Sequence, residues 1–345
     1  MPKPQRLGFP VKVMGAPDLK SNDSRRWQNN PHLKVSLEYL HKVLEYLKKH
    51  EINMYRMSSD IAPYATHPDM PQFHKMVAES DRELRAFGKA AREQDVRLSF
   101  HPSQFVVLNS PNPELVRKSV WDLESQADML DRMELGPEAV MVIHVGGAYG
   151  DRPASNARWV KTWKTLSEPV RRRLVLEHDD IRFSAADVLW IHEHTGVPLI
   201  FDYQHFLCFN PEALDMRETI VKILKTWRKG VRPKIHYSSP RTEMREVKRK
   251  NKSTKKQETV YIAPIWTGHA DFNNPFELVN FLRSVQDLEF DIMLESKAKD
   301  LALIRTRRDL LRYAPDLALK FGLEEKKKSK FDLEEMNLME TEKVA

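Results

Sequence analysis

Imidazoles and carboxylates recur where apolar stretches end. His101 closes RLSFH, His144 lies in VIHVGG, Glu177 in LVLEHD, Asp202 and His205 in FDYQH, Lys234 and His236 in KIHYSS, and Glu295 in LESK. His67 in YATHP and His269 in GHADF occupy loops after two further stretches of this kind. Taken singly, each is explained by ordinary structure: a histidine hydrogen-bonded at a strand end, or Glu177 or Glu295 as half of an ion pair. Gathered in one place, the acidic groups would repel and shift their pKa values unless a cation compensated them. Neutral imidazoles and carboxylates together are ligands for divalent metals, and a mixed set suits manganese or zinc better than magnesium, which favours oxygen. The donors are too many for one tetrahedral ion, so on the order of two or three ions is the natural expectation. Such a cluster activates water and clamps a phosphodiester. Lys234 shares a strand face with His236 and is read either as a charged phosphate binder or as a carbamylated, anionic ligand.

The elements that must position these groups alternate with regularity. Strands are predicted at 6–11, 53–59, 97–101, 139–147, 174–178, 198–203, 233–239 and 290–296. Between them lie segments with apolar spacing near the helical period, such as HLKVSLEYLHKVLEYLKKH (32–50) and PELVRKSVWDLESQADMLDRM (113–133). Eight strands, each followed by a helix, predict an α/β chain folded as a single (β/α)8 TIM barrel, with the active site at the C-terminal ends of the strands. Every chemistry-bearing residue named above falls at such an end or in the loop after it. The expected organisation is a barrel domain over 1–322, with a basic loop insertion at 241–260, and a charged, flexible tail over 323–345.

Composition narrows the partners. The chain has 345 residues and a formal net charge of +7, and most of that excess lies in RTEMREVKRKNKSTKK (241–256). A local basic segment beside the expected site fits contact with phosphates, with Arg241, Arg245, Lys248, Arg249 and Lys250 as candidates and Arg25 and Arg26 as weaker ones. A solvated charge run without structure is the plain alternative for it. The single cysteine, Cys208, excludes an intramolecular disulfide and agrees with a reducing cytosol. MPKPQRLGFP lacks the apolar core of a signal peptide, and no apolar run reaches the length of a membrane span. The expectation is a cytoplasmic protein, with no membrane and no protein partner implied.

These motifs resemble the UV damage endonucleases, relatives of the endonuclease IV type of barrel nuclease. LGFP, HPSQF, VIHVGGAYGD, LVLEHDD, FDYQHF, PKIHYSSP, GHADF and IMLESKAK carry the resemblance in consistent order from about residue 6 to 300. It implies a manganese-supported, three-metal barrel that nicks duplex DNA immediately 5′ to pyrimidine dimers, 6-4 products or abasic sites and leaves a 3′-hydroxyl. By motif, the implied metal ligands are His67, His101, His144, Glu177, Asp202, His205, His236, His269 and Glu295, with Lys234 a modified residue beside them. Gln104 and Phe105 match a pair that probes the duplex where damaged bases are rotated out. Phe105 stands where tyrosine is frequent, and Phe9 and Val13 stand where some members place a tyrosine and an asparagine near the lesion pocket. The basic insertion before GHADF is also a departure.

Two other functions share part of this pattern. A metal-dependent sugar isomerase or epimerase on the same barrel would gather the same ligands, but it gives no use to a basic insertion or an aromatic after HPSQ. A nucleic-acid-binding module with structural metals needs fewer donors, since structural sites are small and closed.

Overall fold

The computed structural model describes residues 3–324, and their backbone alternates strand and helix as expected. The strands are β1 (Leu7–Pro10), β2 (Met54–Arg56), β3 (Arg97–Ser99), β4 (Met141–His144), β5 (Leu174–Glu177), β6 (Leu199–Ile200), β7 (Lys234–Tyr237), β8 (Arg245–Lys250), β9 (Gln257–Ile262) and β10 (Asp291–Leu294). All but β8 and β9 are parallel and lie within the predicted spans. They form two hydrogen-bonded sheets, β3-β2-β1-β10-β7 and β4-β5-β6. Single parallel bridges, Phe100 to Met141 and Asp202 to His236, join the sheets at both edges. The joins leave no free edge, and the eight strands close in chain order into a (β/α)8 barrel. The predicted tail lies outside the described residues, apart from its first two positions.

The helices cover the barrel by burying one stripe each. In Leu33–Lys49 the enclosed side chains are Leu33, Leu37, Leu40, Val43, Leu44 and Leu47, at the three- and four-residue spacing of one helix face. Each such side chain contributes roughly 1.5–3 kcal/mol on leaving water. Polar side chains mark where the helices start. Asn112 accepts the N–H of Glu114 ahead of Pro113–Arg132, and Asp151 accepts that of Ala154 ahead of Arg152–Trp163. Asn274 does the same for Phe276 ahead of Pro275–Ser284. These caps satisfy N–H groups that the helix itself leaves unpaired.

Charge is also buried at the floor of the barrel, where the strands begin. The Arg97 guanidinium lies 2.8 Å from Asp291 Oδ2, and both side chains are enclosed. Asp291 further accepts the Arg6 N–H at 2.9 Å, and Arg97 donates to the Arg232 carbonyl at 2.9 Å. The strand openings are thus tied together far from the mouth.

The basic insertion departs from the expected loop. Arg245–Lys250 and Gln257–Ile262 pair antiparallel along their whole length, from Arg245 opposite Ile262 to Lys250 opposite Gln257. At the turn, Asn251 Oδ1 accepts the N–H groups of Ser253 and Thr254, an arrangement that reverses the chain locally. The segment is a two-stranded ribbon that stands out from the barrel.

Candidate metal centre

The strand ends bring their polar side chains together. Register sets His144 beside Glu177 across β4 and β5, and the Asp202–His236 bridge does the same across the second seam. Donor atoms of His101, Glu177 and His236 all lie within 4.8 Å of one another. So do those of Glu177, Asp202 and His205, and those of Asp202, His236 and Glu295. Glu177 is the hub. Its Oε1 lies 2.7 Å from His236 Nδ1, and its Oε2 lies 3.1 Å from His101 Nε2 and 3.8 Å from His144 Nε2. His269 completes the rim, with Nε2 3.7 Å from Glu295 Oε2.

Neighbouring groups aim the imidazoles inward. His101 Nδ1 donates to the Pro102 carbonyl at 3.1 Å, His205 Nδ1 to the His178 carbonyl at 3.0 Å, and His269 Nδ1 to Gln204 Oε1 at 2.9 Å. Each such bond occupies Nδ1 and so makes Nε2 the nitrogen a metal would take. Asp202 is positioned twice: Oδ1 accepts the His205 N–H at 2.7 Å, and its own N–H donates to His178 Nε2 at 3.1 Å. Asp202 Oδ2, His236 Nε2 and His144 Nδ1 are buried without a hydrogen-bond partner. Such orphaned acceptors and ring nitrogens are costly unless something occupies them, and a divalent cation fits this donor set.

The electrostatics follow from the crowding. Burial acts to raise Glu177, but the imidazoles of His236, His144 and His101 gathered on it outweigh burial and hold the carboxyl well below its ordinary value. Glu295 is held low in the same way, chiefly by Arg56, which pairs with it from the end of β2. Asp202 is raised, chiefly by burial. Burial also pushes His144 down to about 4, so it is neutral and able to ligate at neutral pH. For His205 burial is outweighed by Asp202, Glu177 and Glu295, which push it up to about 9. Lys234 is fully enclosed one strand step below His236 and donates to Ser99 Oγ at 3.3 Å. Its burial, reinforced by Arg97 and Arg56, holds the amine well below the usual lysine value.

Other expected residues lie apart from this cluster. His67 lines an adjoining cleft of about 450 Å³ with Arg25, Tyr64, Ser103 and Lys118, and its Nδ1 accepts the Asp69 N–H at 3.3 Å. Arg25 already forks onto Asp23, at 2.8 and 2.6 Å. Phe9 is fully enclosed in the barrel wall, edge to face with Tyr55. Arg241 is largely buried and pairs with Asp271 at 3.2 Å. Gln104 and Phe105 sit on the turn after His101, where Ser103 Oγ accepts the Phe105 N–H at 3.3 Å, and Phe105 is 74% exposed. Sequence reading missed His178 and Arg56. His178 directly follows β5 and Arg56 ends β2, so a polar residue at the end of an apolar strand was the available signal for each.

A closed (β/α)8 barrel whose mouth gathers imidazoles and carboxylates around orphaned buried donors has groups that could hold metal ions, an architecture that serves enzymes of quite different reactions. The family model for UV-endonuclease UvdE matches residues 22–319, and the chain belongs to that family. It is 33% identical over 280 residues to the UV DNA damage endonuclease of Bacillus velezensis, covering 80% of this chain and 81% of that one. The UV DNA damage endonuclease of a Bacillus cereus strain is 30% identical over 304 residues, 86% of this chain and 88% of its own. The crystal structure of SacUVDE superposes with a TM-score of 0.72 and 30% identity, over 89% of this chain and 98% of that one. A xylose isomerase domain protein from Planctomyces limnophilus gives a TM-score of 0.51 at 14% identity, over 91% and 99%, a likeness of fold. Among the described residues no helix is long and apolar enough to cross a membrane.

Proposed function

We propose that this chain is a metal-dependent DNA repair endonuclease that nicks duplex DNA immediately 5′ to UV photoproducts, leaving a 3′-hydroxyl. The observation that carries the reading is one short loop. His101 enters the ligand cluster through Glu177, while four residues on Phe105 projects bare into solvent at the rim. Chemistry and lesion probing are thereby held on a single turn. The relatives' name as UV DNA damage endonucleases supports the same substrate.

His101, His144, Glu177, Asp202, His205, His236, His269 and Glu295 would hold the ions, about three in number and manganese by preference, with His67 approaching from its cleft. Bound divalent ions supply Lewis-acid polarisation of the phosphodiester and activation of water. The chain's own residues do the rest. Glu177 and Glu295, kept ionised by their neighbours, set the negative charge of the site, and Arg56 keeps Glu295 from turning away. Lys234, its amine held well below the usual lysine value by burial, is a nucleophile for carbon dioxide and would become an anionic carbamate beneath His236. Damaged dinucleotides stack poorly and cost less to rotate out, and Phe105 with Gln104 fills the gap they leave.

Incubation with manganese and an end-labelled, UV-irradiated duplex tests the proposal. The expected product is a nick on the 5′ side of the lesion. Turnover of ketoses without nicking would establish the sugar isomerase reading instead, for which the fold likeness alone gives no use for Phe105.

A further inference from the structure

Among the described residues, no helix or barrel strand packs extensively on the ribbon of β8 and β9. Every residue from Lys252 to Tyr261 is exposed. A two-stranded hairpin alone is marginally stable in water, so its surface is built for something else to cover. Its charge says what. Seven Lys and Arg lie between 245 and 256, and among the described residues none of them forms an ion pair. Three, Lys252, Lys255 and Lys256, crowd the turn.

Its dimensions and its root narrow the occupant. Two strands about 4.8 Å apart with their side chains make a rod that the major groove, roughly 12 Å wide, admits. Six residues per strand extend about 20 Å, close to the rise of six base pairs. Pro240 and His269 form an antiparallel bridge at the base, flanked by Arg241 N–H to Gly268 carbonyl at 2.7 Å and Ala270 N–H to Ser239 carbonyl at 2.9 Å. His269 is itself a member of the metal rim, so the ribbon starts from the site and reaches away from it.

We infer that the β8–β9 ribbon is a duplex-DNA arm that lies along a groove beside the scissile position and grips phosphates through its lysine tip, independent of sequence and of damage. The inference rests on the proposed DNA substrate and extends it to residues beyond the lesion. Lys248 and Lys250 along the β8 edge also oppose pairing with a second ribbon.

Two variants test it in the full-length protein. In one, residues 246–261 are replaced by Asn-Gly, which joins Arg245 and Ile262 through a two-residue hairpin turn. The other carries Lys252→Glu, Lys255→Glu and Lys256→Glu. Affinity for an intact and a UV-irradiated 40-mer duplex is measured across a salt series. The expected result is an equal loss for both duplexes, at least about tenfold at moderate salt, with the slope of log K against log salt shallower by about 3. Unchanged affinity and slope overturn the arm. So does a preference of the unaltered protein for single strands, or a dimer in sedimentation that the Asn-Gly variant loses. Ribbon-dependent duplex binding without nicking would sink the nuclease reading and leave the arm standing, whereas nicking with ribbon-independent binding would do the reverse.

Discussion

Glu177 Oε1 and His236 Nδ1 lie 2.7 Å apart although their strands, β5 and β7, are not neighbours. One carboxylate therefore reaches across the barrel mouth and is shared by imidazoles from four strand ends. Removing it should unmake the centre as a whole. Glu177→Gln and His236→Ala are expected to lower nicking by at least about a hundredfold while duplex affinity changes little. Metal content measured on the purified variants should fall in step. Full metal occupancy with lost nicking would show that Glu177 does something other than hold ions.

The imidazole of His205 gives the centre a pH signature. Burial lowers it, but three carboxylates push it up to about 9, above its unfolded value near 6.5. In the metal-free chain this protonated imidazole stabilises the fold fully below about pH 6.5, and the contribution is lost as pH rises through about 9. A ligating nitrogen must shed that proton. Manganese uptake at pH 7.5 should release a proton, read by calorimetry in buffers of different ionisation heat, and His205→Asn should abolish the release.

Phe105 is bare in the free protein, so its truncation has little to cost the fold. Phe105→Ala should leave thermal stability within about 0.5 kcal/mol and reduce the preference for damaged over intact duplex roughly tenfold. Competition binding with both duplexes measures it, and an unaltered preference would remove the residue from lesion probing. Phe105→Tyr should keep the preference.

At the opposite end of the barrel, Arg97 and Asp291 form an enclosed pair. Asp291→Ala would strand the guanidinium and should destabilise the protein by about 3–5 kcal/mol in denaturant unfolding. Nicking at low temperature should persist, because the pair is a full strand length from the mouth.

Much of this was readable in the sequence, for a physical reason. Strand-end residues such as His144 and Glu177 stand out because apolar barrel strands have few polar side chains, and parallel register then aligns them without further information. His178 was harder to see. It follows Glu177 directly and so should point away from the site, yet beyond the strand end its ring takes the Asp202 N–H. Arg56 could not be singled out, because nothing local shows that Glu295 lies opposite. The ribbon was unreadable for the contrary reason: with both faces in water, Arg245 to Lys250 carry no apolar alternation that would mark a strand. Phe9 lies in a recognised motif, yet its burial depends on Tyr55, some forty residues away.

The two seams of the barrel are thin. Among the described residues, single bridges of Phe100 with Met141 and of Asp202 with His236 tie the half-sheets together, through a few bonds such as Val142 N–H to the Phe100 carbonyl and His236 N–H to the Phe201 carbonyl. The ligand cluster sits on these joints: His101 follows one, and Asp202 and His236 form the other. Ions held there would act as rivets, making a mechanical joint out of what the backbone leaves as a hinge line. Stripping the metal should therefore quicken amide exchange at Val142 and His236 before the strands between the seams respond.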